Sequence, residues 1–438
     1  MSNVKRRTIR VLAADDSAVM RRVLQTIFDL HGDGSASGLP PMDLCGVVRD
    51  GVDCLEAVTR LQPDVLLLDL EMPRMNGMEV LLRLRSLAPT LPVIMCSAYT
   101  VDGAKATLEA LANGAKDYVM KPSQQSDFAS ALDLLMQQLL PRIAAFSAAR
   151  DSQALTQPTV LPVPFPGDKA VARAATLLPS PALALRTPMD STRVLFGPPP
   201  GRAKANVELV VIGVSTGGPS ALEEMLPRLP ADFPVPILLV QHMPSLFTAA
   251  LAERLDRCCS LRVALAVDGT PVEPGTIWLA PGDIHMEIAF ASARHVEGVR
   301  RKVIRLHGGE PLNHCRPAVD HLFRSAAEVS GSGVLALVMT GMGADGLEGA
   351  RAVCDAGGSV LAQDQASSAV WGMPGQVVRA GLASAILPLS RIAEELTQRA
   401  HLGRPRNQTT SPAAEGSSDA HNTRPAQHAR REALHGLL

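Results

Sequence analysis

A chain of 438 residues is too long for one ordinary domain, and with 46% hydrophobic residues it can bury two or three cores. Its 42 Lys and Arg residues balance 43 Asp and Glu residues, so no net positive charge favours nucleic acid as a partner. No apolar run approaches the roughly 20 residues needed to span a bilayer, so we expect no membrane insertion. The seven cysteines show no C-x-x-C pair and no zinc-ligand spacing, which favours reduced thiols in a cytoplasmic protein.

Residues 8–140 alternate short apolar strands with helical patterns. Strands are predicted at residues 9–13, 65–68, 93–97 and 117–120, and a further strand is expected after the first helix. Five strands with intervening helices predict a doubly wound parallel α/β sheet. The carboxyl ends of such strands share one edge, where ligands bind. The residues that we expect to converge at this edge are Asp15, Asp16, Asp69, Ser97 and Lys121.

This predicted pocket combines three carboxylates with one amine. Crowded carboxylates repel one another unless a cation offsets their charge, and hard oxygen ligands suit Mg²⁺. The Lys121 ammonium supplies a point charge for a phosphate group. A strand-end acid can instead cap the following helix, which is the commoner role for any one such residue. Capping does not require all five residues to converge, so the group as a whole favours a site for Mg²⁺ and phosphate.

The stretch from Asp69 to Gly77, Asp-Leu-Glu-Met-Pro-Arg-Met-Asn-Gly, is the longest motif in this region. Together with the strand-end residues, it resembles the receiver domain of bacterial two-component response regulators. The resemblance implies that Asp69 accepts a phosphoryl group from a histidine kinase. It also implies that Asp15, Asp16 and Asp69 hold Mg²⁺, with a backbone carbonyl from Glu71. The other residues with an implied role are the switch positions Ser97 and Tyr118 and the phosphate-pairing Lys121.

Three stretches interrupt the regular patterns. Residues 31–41 are rich in Gly, Ser and Pro and are interpreted as a surface insertion that lengthens the connection into the second strand. Residues 141–205 are rich in Pro, Ala, Ser and Arg, and runs such as 198–200 cannot join a helix or sheet interior. We expect an extended, partly flexible linker that lets one domain lie over the other and separate again. Residues 401–438 lack apolar periodicity, so we expect a disordered tail.

The strand that opens residues 206–400 ends in one serine between glycines. Ser215 stands between Gly213 and Gly217 in a G-x-S-x-G spacing, where missing Cβ atoms let the backbone turn sharply and leave Oγ exposed. We expect a helix over residues 220–229 after this turn. The spacing favours a nucleophile, but a glycine-rich turn after a strand is also how α/β folds bind phosphates.

Two further predicted strands deliver polar residues to the same edge as Ser215. His242 follows the strand at 235–240, and Asp345 follows the strand at 334–339 in a glycine-rich turn. Ser215 is too weakly acidic to attack unaided, so His242 would take its proton and Asp345 would orient the imidazole. The chain order Ser, His, Asp differs from the Ser, Asp, His order of α/β-hydrolases, which favours convergence. The backbone N–H groups expected to form an oxyanion hole belong to Thr216 and Met342.

Six short motifs mark this second region: Ser215-Thr-Gly-Gly, Gln241-His-Met-Pro, Ala280-Pro-Gly-Asp, Arg316-Pro-Ala-Val-Asp320, Thr340-Gly-Met-Gly and Gly372-Met-Pro. They resemble the catalytic domain of chemotaxis protein-glutamate methylesterases. The resemblance implies hydrolysis of glutamate methyl esters on the cytoplasmic helices of chemoreceptors, with release of methanol, and deamidation of particular glutamines there. It implies Ser215, His242 and Asp345 as the catalytic set, a chemotaxis histidine kinase as phosphodonor, and no cofactor in the esterase domain.

The expected architecture is α/β, with two doubly wound parallel-sheet domains joined by the Pro-rich linker. Residues 8–140 form a five-stranded receiver, and residues 206–400 form a larger Rossmann-like esterase domain. The alternative is a non-catalytic response regulator whose second domain binds a nucleotide or a protein. Against a nucleotide, the glycine turn lacks the G-x-G-x-x-G spacing and no Walker lysine follows.

Residues 289–300 look like an added hairpin tip. Four histidines of the second region show no pair at metal-ligand spacing, and we expect structural or surface roles for them. These are His285, His307, His314 and His321.

Overall fold

The computed structural model describes residues 7–32, 34, 37–122, 128–156, 206–291 and 300–402. Most of the predicted linker, the predicted tail from residue 403 onward and most of the predicted hairpin tip lie outside these residues. In the part of the chain that is described, no helix is both long enough and apolar enough to cross a membrane.

The N-terminal sheet contains five parallel strands in the order β2-β1-β3-β4-β5, which confirms the predicted receiver architecture. The strand order reverses between β1 and β3, so the ligand-binding crevice is expected at their carboxyl ends. The predicted insertion at residues 31–41 falls between the end of α1 at His31 and the start of β2 at Met42. The elements are β1 (Ile9–Ala14), α1 (Ala18–His31), β2 (Met42–Val48), α2 (Gly51–Leu61), β3 (Val65–Asp69), α3 (Gly77–Leu87), β4 (Val93–Ser97), α4 (Val101–Ala112), β5 (Asp117–Met120) and α5 (Phe128–Thr156).

Helix α5 corrects the predicted start of the linker at residue 141. The helix continues through Pro141 to Thr156. Its apolar residues continue at helical spacing beyond Leu140, and Ile143 and Phe146 are both buried against the sheet. This packing outweighs the helix-breaking effect of the proline.

The C-terminal sheet contains seven parallel strands in the order β14-β13-β12-β6-β7-β9-β8, and β10 and β11 form a separate antiparallel pair. The order reverses between β6 and β12, which places the expected ligand crevice at the ends of these two strands. The elements are β6 (Leu209–Val214), α6 (Gly218–Met225), β7 (Ile237–Gln241), α7 (Ser245–Cys258), β8 (Arg262–Leu265), β9 (Thr276–Leu279), β10 (His285–Phe290), β11 (Lys302–His307), α8 (Val319–Ser330), β12 (Val334–Val338), α9 (Leu347–Asp355), β13 (Ser359–Gln363), α10 (Met373–Arg379), β14 (Ala385–Leu387) and α11 (Leu389–His401), with 3₁₀ turns at Leu226–Arg228 and Gly331–Gly333.

The helix predicted at residues 220–229 is shorter and begins earlier. It runs from Gly218 to Met225, with Pro219 in its first turn, and changes to a 3₁₀ turn at Leu226–Arg228. Proline fits the first turn because it needs no hydrogen-bond donor there, whereas Pro227 cannot continue the α-helix. The N-terminal and C-terminal domains are in contact where α4 packs against α6 and α7.

Candidate active site and phosphorylation site

Ser215 follows the fully buried strand β6 in a turn that only small residues can form. Its N–H donates to the Thr340 carbonyl at 3.0 Å, and its carbonyl accepts from Gly218 N–H at 2.8 Å. Gly217 has a φ of 74°, and a Cβ there would lie 2.4 Å from the Ala369 Cβ. Gly217 therefore allows a tight turn that leaves Ser215 partly exposed at the sheet edge.

His242 and Asp345 form a close pair at the same edge. The distance from His242 Nε2 to Asp345 Oδ2 is 2.7 Å, and the two side chains are 12% and 2% exposed. Asp345 also accepts the backbone N–H groups of Val319 at 2.6 Å and Asp320 at 3.1 Å, which begin α8. A helix N-terminus stabilises a carboxylate through these free N–H groups, so Asp345 is held as an anion facing the imidazole.

The pKa values of this pair shift in opposite directions. Burial lowers the pKa of His242, but the hydrogen bonds and charges of Asp345 and Cys315 outweigh it and raise that pKa above its usual value. Burial raises the pKa of Asp345, but His242 and the N–H groups at the start of α8 hold it below its usual range. The pair therefore stabilises the charged imidazole that a proton transfer creates.

The register of the sheet places Ser215 beside His242. Val214 pairs with Gln241, and His242 N–H donates to the Val214 carbonyl at 3.2 Å. Among the described residues, however, Ser215 Oγ makes no hydrogen bond to the imidazole. His242 Nδ1 instead lies 3.5 Å from the Cys315 Sγ. Catalytic hydrogen bonds are often long before substrate binds, and Nδ1 is the nitrogen that is not bonded to Asp345.

Cys315 is the residue at this site that the sequence analysis missed. Its thiol lies beside the imidazole, within the turn that precedes α8. Asn313 of the same turn donates through Nδ2 to Asp345 Oδ1 at 3.3 Å and to Asp320 Oδ2 at 3.1 Å. The only sequence signal was their position just before the Arg316-Pro-Ala-Val-Asp320 motif.

The two predicted oxyanion donors lie in turns next to Ser215. Neither the Thr216 N–H nor the Met342 N–H donates a hydrogen bond to another described residue. The peptide group that carries the Thr216 N–H is held at its carbonyl end, where Ser215 accepts from Gly218 N–H at 2.8 Å and from Gln241 Nε2 at 3.0 Å. A Cβ at Gly341 would lie 2.8 Å from the Ser215 Cβ, so the turn that carries Met342 approaches the serine closely.

In the N-terminal sheet, the predicted acidic residues meet at the carboxyl ends of β1 and β3. Carboxylate oxygens of Asp15, Asp16 and Asp69 all lie within 4.8 Å of one another. Lys121 Nζ lies 2.7 Å from Asp69 Oδ2 and 2.9 Å from Asp15 Oδ2. Burial and the Asp15 charge raise the pKa of Asp69 to about 6, against the lowering effect of Lys121. Asp15 and Asp69 thus share one ammonium group, with the Asp16 carboxylate close to both.

The donors at this acidic site fit a hard divalent cation. Three carboxylate oxygens this close, two of them from the buried residues Asp15 and Asp69, match the oxygen ligands of Mg²⁺. One lysine does not offset three acidic groups, so a cation there would relieve their repulsion. Glu71 lies two residues after Asp69, and its backbone N–H acts to lower the pKa of the Asp69 carboxylate.

The predicted switch residues lie between the acidic site and the second sheet. Ser97 Oγ accepts a 2.6 Å hydrogen bond from Thr107 Oγ1 on α4. The Tyr118 ring stacks on the Phe247 ring of α7, with centroids 4.6 Å apart and planes inclined by 6°. Tyr118 therefore joins β5 of the first sheet to the helix that follows His242.

The fold and these two sites define a class of protein, a response regulator with a hydrolase-like output domain. The CheB methylesterase family matches residues 210–396, and the response regulator receiver domain matches residues 11–133. The chain is 40% identical over 390 residues to a protein-glutamate methylesterase/protein-glutamine glutaminase of Trichodesmium erythraeum, covering 89% of this chain and 98% of that protein. A protein of the same name from Nocardioides is 41% identical over 397 residues, covering 91% and 97%.

Among solved structures, the chain is similar to the CheB methylesterase catalytic domain of Thermotoga maritima. The identity is 41%, the match covers 44% of this chain and 99% of that one, and the TM-score is 0.42. From the identity to full-length relatives, the chain belongs to the CheB methylesterase family.

Proposed function

We propose that this chain hydrolyses glutamate methyl esters on the cytoplasmic helices of chemoreceptors and deamidates specific glutamines there, under the control of phosphorylation at Asp69. The observation that carries the proposal is the meeting of Ser215, His242 and Asp345 at one sheet edge, in a chain of this family. The direct experiment is to measure methanol release from a methylated receptor fragment by the full chain.

The proposed reaction uses Nδ1 of His242, the imidazole nitrogen that does not pair with Asp345. Ser215 Oγ attacks the ester carbonyl while His242 Nδ1 takes the hydroxyl proton, and Asp345 stabilises the charged ring through Nε2–H. His242 then returns the proton to the leaving methoxide, which departs as methanol. A water molecule, activated by the same imidazole, hydrolyses the acyl-serine and leaves a glutamate. With glutamine as substrate, the leaving group is ammonia.

The negative oxygen of the tetrahedral intermediate needs donors near Ser215. The N–H groups of Thr216 and Met342 suit this role because they have no partner among the described residues. Loss of one such donor typically costs roughly 3–4 kcal/mol of transition-state stabilisation.

Control by phosphorylation is supported by the contacts between the two sheets. The Tyr118 ring stacks on Phe247, and the Tyr99 hydroxyl lies 3.1 Å from Ser245 Oγ at the start of α7. These contacts reach the helix that begins three residues after His242. A receiver held there restricts the approach of a receptor helix to the catalytic edge.

Phosphorylation of Asp69 changes the charge at the acidic site, next to the switch residues Ser97 and Tyr118. A phosphoryl group on Asp69 changes the local charge by about −1 to −2, and Lys121 pairs with it. Asp15, Asp16, Asp69 and the Glu71 carbonyl would hold Mg²⁺, whose charge would offset the remaining negative charge. Ser97 then leaves Thr107 for a phosphoryl oxygen, Tyr118 withdraws from Phe247, and the domains separate.

An Asp69→Asn variant is expected to keep basal hydrolysis and lose activation by a small-molecule phosphodonor. The amide cannot accept the phosphoryl group, while the catalytic edge is unchanged. Wild type should be stimulated about 5- to 150-fold, a usual range for coupling between sites. Methanol release with and without phosphodonor measures this. Asp43→Asn, an exposed change on β2, is the control and should respond as wild type. Equal stimulation of the Asp69 variant would rule out this mechanism.

A Ser220→Arg variant is expected to raise basal activity without phosphodonor, roughly fivefold or more. Ser220 is exposed, but its Oγ donates to the Leu111 carbonyl of α4 at 3.3 Å, so a long charged side chain at this position would disrupt the contact between the domains. The same change at the exposed Ser390 should leave the basal rate unaltered. An unchanged basal rate in the Ser220 variant would argue against a receiver that restricts access.

The remaining assignments follow from the same proposal. The receiver begins at residue 8, its last helix continues to Thr156, and the esterase domain spans residues 206–400. The phosphodonor is a chemotaxis histidine kinase, and the protein works in the cytoplasm, where receptor helices and kinase are both accessible.

A further inference from the structure

Three histidines meet where the β10–β11 hairpin packs on α8. His285 and His307 are cross-strand partners whose ring centroids lie 5.2 Å apart. His321, in the first turn of α8, lies 4.3 Å from the His285 ring and 5.1 Å from the His307 ring. The expected structural or surface roles did not foresee this meeting, because the hairpin and the helix bring distant positions together.

Glu287 joins two of these rings. Its Oε1 lies 3.1 Å from His321 Nδ1 and 3.3 Å from His307 Nε2, and the three ligand atoms lie within 4.8 Å of one another. Ligands about 2.1 Å from a tetrahedral zinc ion are separated by roughly 3.4 Å, close to these distances. His307 Nε2 is buried and has no hydrogen-bond partner among the described residues.

His285 belongs to the cluster but cannot supply a ligand. Its Nδ1 accepts the Ala318 N–H at 3.2 Å, and its Nε2 lies 3.0 Å from the Glu310 carbonyl. Both nitrogens are therefore occupied, and the buried ring packs beneath the other two.

We propose that Glu287, His307 and His321 bind a zinc ion. Two imidazole nitrogens and one carboxylate oxygen form a ligand set that zinc uses in proteins, whereas Mg²⁺ prefers oxygen ligands alone. Three protein ligands leave the fourth position to water or to an anion.

The site has an entry path and one local requirement. Glu287 and His321 line a groove of about 470 Å³ that is also lined by Arg305 and Arg324, whose charges favour an anionic fourth ligand. A zinc ion on His307 Nε2 requires the ring proton to be on Nδ1. In this structure, without the ion, Nδ1 instead accepts the Gly309 N–H at 3.2 Å. Zinc binding therefore requires the turn at Gly309 to move this N–H away.

The proposed ion would connect the hairpin to the helix that holds Asp345. His321 lies two residues after Val319, whose N–H donates to the Asp345 carboxylate. The zinc site thus lies outside the catalytic edge, but on the helix whose first N–H groups hold Asp345. Its existence does not depend on the proposed esterase activity.

The test is a calorimetric titration of Zn²⁺ into the full chain in excess Mg²⁺. All proteins carry Cys315→Ala, because the thiol and imidazole at the catalytic edge offer a second site for a soft metal. The parent should bind one Zn²⁺ that the His307→Ala/His321→Ala variant loses, with affinity at least about 100-fold weaker. His401→Ala, on α11, is the matched control and should bind as the parent.

Two further measurements keep the test decisive. Glu287→Gln retains the size of the side chain and should weaken Zn²⁺ binding even if the double variant is unstable. Co²⁺ bound to the parent should give the visible absorption of a four-coordinate ion, absent from the variants. Unchanged stoichiometry and affinity in the variants, or no parent site tighter than about 10 μM, would overturn the proposal.

Discussion

Replacing Ser215 with alanine is expected to lower methanol release from a methylated receptor fragment by about 10⁴- to 10⁶-fold. The variant removes the only atom that forms the acyl intermediate in the proposed reaction. His242 and Asp345 remain paired, but they have no nucleophile to activate. Steady-state methanol release by wild type and variant, with the phosphodonor present, measures the loss. Ser390→Ala makes the same substitution at an exposed position of α11, and this control should retain full activity.

This variant should fold as wild type. Ser215 Oγ makes no hydrogen bond to another described residue, so its removal leaves no buried partner without a hydrogen bond. The melting temperature should therefore shift by no more than a few degrees, roughly what 1 kcal/mol produces in a chain of this size. Activity within a few-fold of wild type would exclude Ser215 as the nucleophile.

An Asp345→Asn variant is expected to lower kcat by up to about 10⁴-fold. The carboxylate accepts hydrogen bonds from His242, Val319 and Asp320. An amide has one acceptor oxygen, so it cannot accept all of these and its NH₂ group would face a donor. The imidazole then loses both its orientation and the charge that stabilises its protonated form.

The pH profile separates this catalytic effect from a structural one. The base must be neutral to accept a proton, so activity rises with pH through the pKa of His242, which lies above its usual value. Removing the Asp345 charge lowers this pKa, so the acidic limb of the profile should move to lower pH. The control Asp320→Asn changes a neighbouring buried carboxylate but keeps the His242–Asp345 pair. The acidic limb of its pH profile should therefore stay in place. An unmoved limb in the Asp345 variant would contradict the assignment.

Much of both sites could be predicted because parallel strands end at a common edge. Ser215, His242 and Asp345 each follow a buried apolar strand, as do Asp15 and Asp16, and Asp69 is the last residue of another. Since β12, β6 and β7 are neighbours in the sheet, residues more than 100 positions apart lie side by side. An apolar strand pattern followed by one polar residue is therefore enough to predict which residues meet at such an edge.

Contacts made by side chains from unrelated elements could not be predicted in this way. Cys315 reaches His242 from a turn, and Tyr118 stacks on Phe247 across two sheets. His307 and His321 meet because a hairpin packs on a helix. No spacing in the sequence encodes these distances, since they depend on how separate elements pack. Helix α5 extended past residue 141 for the same reason.

Covalent labelling with a fluorophosphonate ester tests most directly whether Ser215 is a nucleophile activated by His242. The intact chain would be treated with the probe, digested and mapped by mass spectrometry. One phosphonyl group should appear on the peptide that contains Ser215, and the His242→Ala variant should show almost none. A label on Cys315 or another residue in place of Ser215, or equal labelling in the His242 variant, would contradict the proposed catalytic mechanism.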